Sequence, residues 1–391
     1  MLLDHLRRVT RDGTWIPEID GLRFVAISSV LLYHLFGQLT EQKPGHIPIA
    51  AEPSYWWLAR LLNNGGNGVF LFFVISGTIL ALPFARHYLK DSKKVSLRKY
   101  YMRRATRLEP PYITSFILCA LATLIYFHKF THGYLIDLLA SIFYQHSLLY
   151  GHLSAINGLA WTLEIEIQFY LLAPLAMQYF GIRPTRLRRA LMLAVILCIT
   201  LAQLPFWGWP RFELSILYYL QYFLAGLLVA DIFVIDIENM KSSWLWDLAG
   251  IASLVAIFFP SNIKYSTHAL LPIPLAVLCI ATMRSYSLRH ILANQWVAVI
   301  GGMCYSIYLL HFVFIATIYK ITKYTLVPRA PFALNFLIQI VITLLPAVAL
   351  CVVFYLFVER PCMDPNWPSK LWHALTGRRE SEVAVLDTKG I

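Results

Sequence analysis

The chain has 391 residues, of which 58% are hydrophobic and only 14% charged, with a formal net charge of +12 and a mean hydropathy of +0.60. Soluble domains carry about 25% charged residues, so this composition excludes an ordinary soluble globular protein and points to an all-α, polytopic membrane protein. The length allows many spans and leaves little for a second soluble domain.

The first apolar run is IDGLRFVAISSVLLYHLF, from Ile19 to Phe36. It follows basic residues, as a signal peptide would, but it is long, holds Asp20 and Arg23 near its start, and lacks a small-residue cleavage pattern, so it reads as the first span. Arginine and histidine are expensive within an apolar span, which marks Arg23 and His34 as functional. Eleven helical steps separate them, returning to nearly the same face about 16 Å further along the axis.

Apolar stretches of span length follow near 68–85, 110–127, 159–180, 189–206, 213–235, 245–260, 267–284, 295–320 and 334–358. With the first run near 20–38, that predicts about ten transmembrane helices. The shorter, more polar 134–150 reads as an interfacial or re-entrant helix. The domain plan is an N-terminal segment 1–19, a membrane domain 20–360 and a polar, partly disordered tail 361–391.

Basic residues set an expected orientation. Placing both termini in the cytoplasm puts 24 of the 33 Lys and Arg in cytoplasmic segments, nine of them in 86–109, as the positive-inside rule requires. The net charge then follows from topology and calls for no nucleic-acid partner, while membrane lipids are expected neighbours. His128, His132, His146 and His152 lie in the predicted outer loop 128–158. They lack ligand-like spacing, so no metal site is expected. Six cysteines without C-x-x-C spacing read as small buried hydrophobes.

Gly65-Gly66-Asn67-Gly68 opens the second span, with Ser76-Gly77 at its middle, a pattern suited to close helix packing. The loop 86–109 ends RRATRLEPPY. Arg103, Arg104 and Arg107 lie just before Pro110-Pro111, and Arg residues three or four apart share a helix face. Clustered guanidiniums fit bidentate phosphate binding, whereas Lys90, Lys93 and Lys94 are explained as an orientation anchor. The stretch WTLEIEIQFY carries Glu164, Glu166 and Gln168 into the fourth span. Glu164 and Gln168 share a face and Glu166 lies about 200° from Glu164, so one acid can serve a helix N-terminus while another lines a cavity. Tyr305, Tyr308 and His311 form one stripe of the ninth span. At the end of the last span Glu359 and Arg360 read as a local ion pair.

Taken in order, DGLRFVAISSVLLYH, GVFLFFVISG, RRATRLEPPY, WTLEIEIQFY, YSIYLLH and VERP resemble the blocks of the membrane acyltransferase type 3 family, over roughly residues 16–361. The resemblance implies an integral-membrane O-acyltransferase of the cell inner (plasma) membrane of a bacterium. It would move an acyl group, acetyl being the expected one, from cytoplasmic acyl-CoA as co-substrate to a hydroxyl of a carbohydrate or glycoside acceptor on the far side. No permanently bound cofactor is expected. Carried over by position, His34 is the catalytic histidine, with Arg23 and Glu166 beside it in the reaction. Arg103, Arg104, Arg107 and Arg360 would hold acyl-CoA, and Glu164, Gln168, Tyr308 and His311 the acceptor. The chain departs from the family pattern at Val69-Phe70, where an acid often follows Gly-Val, at Glu109 within a usually apolar run, and at Ile167, which replaces a frequent second glutamate. No esterase-like domain follows in this sequence, which implies a membrane domain acting alone or passing its product to a partner. A transporter or flippase shares the ten-span pattern with intramembrane charge. The lack of an internal repeat and the arginine cluster paired with a histidine across the membrane weigh against it.

Overall fold

The computed structural model describes residues 6–8, 15–40, 55–127, 132–237, 239–259, 268–364 and 367–376. Among these residues there are helices, turns and bends but no strand. Ile16 precedes α1 (Pro17–Thr40), whose proline in the first turn costs no backbone hydrogen bond. Glu18 and Asp20 sit in that first turn, where the helix dipole favours acids. A short α2 (Trp56–Asn63) leads through a 3-10 turn into α3 (Gly68–Lys90). After α4 (Leu97–Phe127) come α5 (His132–Ile142) and α6 (His146–Tyr150), then α7 (Ala160–Ala176), α8 (Thr185–Ala202) and α9 (Ile216–Ile235). The remainder holds α10 (Trp244–Phe258), α11 (Pro272–Arg284), α12 (Ser287–Leu292), α13 (Gln295–Gly302) and α14 (Cys304–Thr322). A long α15 spans Phe332–Cys362, and α16 covers Trp367–Thr376.

Each of the ten apolar stretches contains a helix, but among the described residues seven segments are long and apolar enough to cross a membrane: Pro17–Thr40, Trp56–Lys90, Leu97–Ile125, Thr185–Phe206, Pro210–Ile235, Cys304–Thr325 and Phe332–Cys362. The stretches expected at 245–260 and 267–284 form apolar helices of fewer than 18 residues, and that at 159–180 is the 17-residue α7. The expected span 295–320 is broken at Met303 into α13 and α14. The single helix expected at 134–150 is two, because the chain turns at Tyr144 with φ 58°. The tail expected to be partly disordered contains α16, and its residues 377–391 lie outside the described residues.

The bundle centre is α1, α3 and α9. Without a strong hydrophobic force between helices in lipid, close approach and dispersion must hold them together. A Cβ on Gly77 would fall 2.4 Å from the Phe223 carbonyl oxygen, and one on Gly226 2.3 Å from that of Val74. The Ser76-Gly77 pattern therefore does pack helices, and α3 and α9 meet backbone to backbone. Gly301 of α13 plays the same part against α1, where a Cβ would stand 1.8 Å from the Asp20 carbonyl oxygen. That contact fixes the first turn of α1 beside the start of α14. At the start of α8, buried Arg188 and half-buried Arg189 both bond the buried Asp231 of α9, an internal clamp whose second acid is Asp236. Of the six cysteines, Cys119, Cys279, Cys351 and Cys362 are buried, Cys304 is half-buried and Cys198 is exposed, with no disulfide.

Candidate active site

The predicted functional residues separate into two groups along α1. At its start, Asp20 is the hub. Arg23 Nη1 donates to Asp20 Oδ1 at 2.5 Å, Trp15 Nε1 donates to Oδ2 at 2.8 Å, and Arg8 Nη1 lies 3.6 Å from Oδ1. Arg23 is thus one residue of an i, i+3 pair on one helix face, with its side chain only 14% exposed. Glu359 faces the same end. The last turns of α15 are π-helical over Tyr355–Glu359, and a π turn resets which residues face inward. Glu359 is buried and accepts from the Ser306 amide at 3.0 Å and from Ser306 Oγ at 2.5 Å. The expected Glu359–Arg360 ion pair is therefore replaced by a bond into the first turn of α14, whose N-terminal amides attract an acid.

The RRATR segment divides by face. Arg103 is exposed, whereas Arg104 and Arg107 are half-buried. Arg104 stacks over the Tyr100 ring at 3.8 Å and near that of Tyr170 at 5.3 Å, and its Nη1 donates to the Tyr100 carbonyl at 3.1 Å. Such stacking holds a guanidinium in place without neutralising it. Tyr170 Oη donates to Glu166 Oε1 at 2.5 Å, and Ser76 Oγ to the same oxygen at 2.6 Å. Glu166 acts electrostatically on both Arg104 and Arg23, which places it on the arginine side of the bundle. Tyr305 Oη donates to the carbonyl of Leu108, the residue after Arg107, at 2.9 Å.

The second group surrounds His34. Its ring centroid lies 5.2 Å from that of His311 on α14 and 5.1 Å from that of Phe312, with Tyr33 edge-on at 5.0 Å. His311 is fully buried. Its Nδ1 sits 2.9 Å from the carbonyl oxygens of both Ile307 and Tyr308. Carbonyl oxygens only accept, so Nδ1 carries the proton and Nε2 presents a lone pair. That Nε2 is buried and without a hydrogen-bond partner among the described residues. The chain therefore keeps a neutral base with one free nitrogen directly beside His34. One turn away, the Tyr308 and Thr162 hydroxyls bond at 2.7 Å, and Asn157 Nδ2 donates to the Leu309 carbonyl at 3.0 Å. These bonds fasten α14 to the start of α7.

The remaining predicted residues serve other neighbours. Glu164 is buried and accepts from the Ser147 amide at 2.8 Å, so it holds α6. Gln168 Oε1 accepts the Ile216 amide at 3.0 Å, satisfying one of the free amides at the start of α9. The two glutamates thus point to different neighbours, as their angular separation on α7 requires. His146 is buried next to His152, with ring centroids 5.2 Å apart. His128 lies outside the described residues, as does the His132 side chain. Among the described residues no group of three or more His, Cys, Asp or Glu is placed to hold a metal ion.

Sequence reasoning did not single out Arg8, Ser76, Tyr100 or Tyr170 as site residues. Tyr170 stands four residues after Glu166, a same-face spacing that could have flagged it. Arg8 and Ser76 reach their partners only through tertiary folding and carry no local signal.

Comparison with known proteins shows the family. The Acyl_transf_3 model, an acyltransferase domain, matches residues 16–356, leaving Arg8 and Arg360 outside. O-acetyltransferase OatA of Staphylococcus aureus (strain NCTC 8325 / PS 47) is 26% identical over 385 residues, covering 89% of this chain and 57% of that protein. A putative O-acetyltransferase of Staphylococcus aureus (strain COL), SACOL0978, is 24% identical over 362 residues, covering 78% of this chain and 52% of that protein. The chain thus spans a little over half the length of these relatives. No solved structure matches it.

Proposed function

Because the chain belongs to the Acyl_transf_3 family of acyltransferases, we propose that it is a membrane O-acetyltransferase. In this reading it takes an acetyl group from acyl-CoA on the cytoplasmic side and gives it to a hydroxyl of a carbohydrate or glycoside on the far side. The observation that carries the reading is the pairing of His34 with His311, whose only free nitrogen is an acceptor. Two neutral imidazoles side by side, joined along one helix to an arginine-rich end, supply a base and an anion-binding mouth to one path.

The chemistry follows from these residues. Guanidiniums at the arginine end hold the phosphates of the donor, Arg104 and Arg107 foremost, and the thiol arm runs between helices toward His34, about 16 Å along α1 from Arg23. His34 removes the proton from the acceptor hydroxyl as its oxygen attacks the thioester carbonyl. The C–S bond then breaks, and the departing thiolate takes up that proton. His311 faces His34 with its free Nε2, to which His34 can donate once the reaction has protonated it. A covalent route through an acyl-histidine uses the same two residues. Tyr308 keeps α14 against α7, and Glu166 keeps Arg104, Tyr170 and Ser76 in one array on the arginine side.

Mass spectrometry of surface glycans and secreted metabolites, from cells with the wild-type chain and with His34→Ala, tests this reading. An O-acetyl group present with the first and missing with the second identifies acceptor and acyl group together. An isotope-labelled compound crossing the membrane unmodified, with no acyl product, would replace the reading by transport.

A further inference from the structure

Five guanidiniums, those of Arg8, Arg23, Arg104, Arg107 and Arg360, gather toward the start of α1, and three carboxylates, those of Asp20, Glu166 and Glu359, answer them. Arg8 and Arg23 share Asp20, while Glu359 is bonded to Ser306 and acted on by Arg107 and Arg8. Arg360 joins them through Tyr355, on which Arg360, Arg107 and Arg8 all act. Two positive charges therefore remain uncompensated there among the described residues, since Glu18 is paired with Arg289 and Asp364 with Lys370. The donors are also underused. Arg8 Nε, Arg107 Nε, Arg360 Nε and Tyr355 Oη are each buried with no hydrogen-bond partner among the described residues. Buried N–H groups without acceptors are costly, and like-charged guanidiniums gathered together cost more unless an anion joins them. Burial, then Arg107 and Arg23, push the Arg8 guanidinium down to about 9.

Arg8 is held there rather than merely near. The Arg7 guanidinium lies 4.4 Å over the Trp15 ring, Trp15 bonds Asp20, and Leu6 packs on the hydrophobic core. The Cβ that Gly302 lacks would stand 3.5 Å from Arg8 Cβ, so the end of α13 backs the same residue. We propose that Arg8, from the segment ahead of the first membrane helix, closes a binding site for a phosphate group together with Arg107, Arg360 and Tyr355. Planar guanidinium forks match phosphate oxygens bidentately, and the tyrosine hydroxyl adds a donor. The phosphate can belong to a soluble nucleotide-bearing donor or to an anionic lipid headgroup. The inference deepens the donor-site reading above and rests on it for the choice of coenzyme A as first probe.

The test uses the full-length chain in lipid nanodiscs, as wild type, Arg8→Gln and Arg8→Lys, each checked for a monodisperse, thermally cooperative preparation. Binding of coenzyme A is followed by thermal stabilisation, in phosphatidylcholine and in phosphatidylglycerol discs. The expected result is binding to wild type that weakens about tenfold in Arg8→Gln, the scale of one charge-assisted hydrogen bond. Arg8→Lys, which keeps the charge and loses the fork, should lose less. If wild type ignores coenzyme A but gains stability in phosphatidylglycerol discs, and Arg8→Gln does not gain it, the phosphate is a lipid's: the site stands and the donor reading falls. Equal behaviour of wild type and Arg8→Gln toward coenzyme A and both lipids overturns the proposal. Where Arg8→Gln does not fold, Arg8→Lys indistinguishable from wild type does so instead.

Discussion

The two ends of α1 solve opposite electrostatic problems. At the arginine end, charges are many and each acid is shared, with Asp20 serving Arg23, Arg8 and Trp15 and Glu359 committed to Ser306. At the histidine end no formal charge acts on His34 among the described residues. His34 sits among the rings of Tyr33, His311 and Phe312, and His311 has its proton fixed by backbone carbonyls. One end is built to hold an anion and the other to accept a proton. A helix that carried both functions at one depth would let Arg23 and His34 disturb each other; eleven residues keep them about 16 Å apart.

That contrast can be broken from either side. His34→Ala should have the largest effect, removing a base that contributes about 10²–10⁴-fold and leaving insertion and melting temperature unchanged. The combined Arg104→Ala and Arg107→Ala change should raise the KM for acyl-CoA by at least about tenfold, since each lost charge-assisted bond has that scale. Steady-state kinetics over a range of donor concentrations separates this from a fall in kcat. His311→Phe sharpens the comparison, because it removes the acceptor nitrogen while keeping a ring against His34. It should lower kcat by about tenfold, one hydrogen bond's worth, with KM for the donor unaltered. A changed donor KM would instead tie His311 to the anion end. The smallest effect is expected from Glu164→Gln. Its carboxylate holds the Ser147 amide, so turnover should remain at the wild-type rate while limited proteolysis near 146–152 quickens.

Much of the fold was legible in composition and periodicity. Every predicted apolar stretch contains a helix, and Ser76-Gly77 does mark a close helix contact, because small residues leave a readable gap in an otherwise bulky run. Helix length was less legible: α7 and α11 are shorter than their apolar stretches, α7 passing into a 3-10 turn at Met177–Gly181 and α11 starting only after a turn at Leu271. At the site, Arg23, His34, Arg107 and His311 were recognisable as polar groups in apolar helices. Their partners were not. Asp20 as the mate of Arg23 needed only i, i+3 spacing, but the meeting of His34 with His311 depends on how α1 packs on α14. Glu359 was misread as the mate of Arg360 because adjacency in sequence suggested it, and the π turn that aims it at Ser306 leaves no trace in a residue pattern.

The most direct measurement is acetyl transfer by the purified full-length chain in proteoliposomes, with labelled acetyl-CoA outside or inside and a glycan acceptor on the opposite side. The account predicts labelled ester on the acceptor with wild type and none above background with a folded His34→Ala. Wild-type transfer by that variant would contradict it.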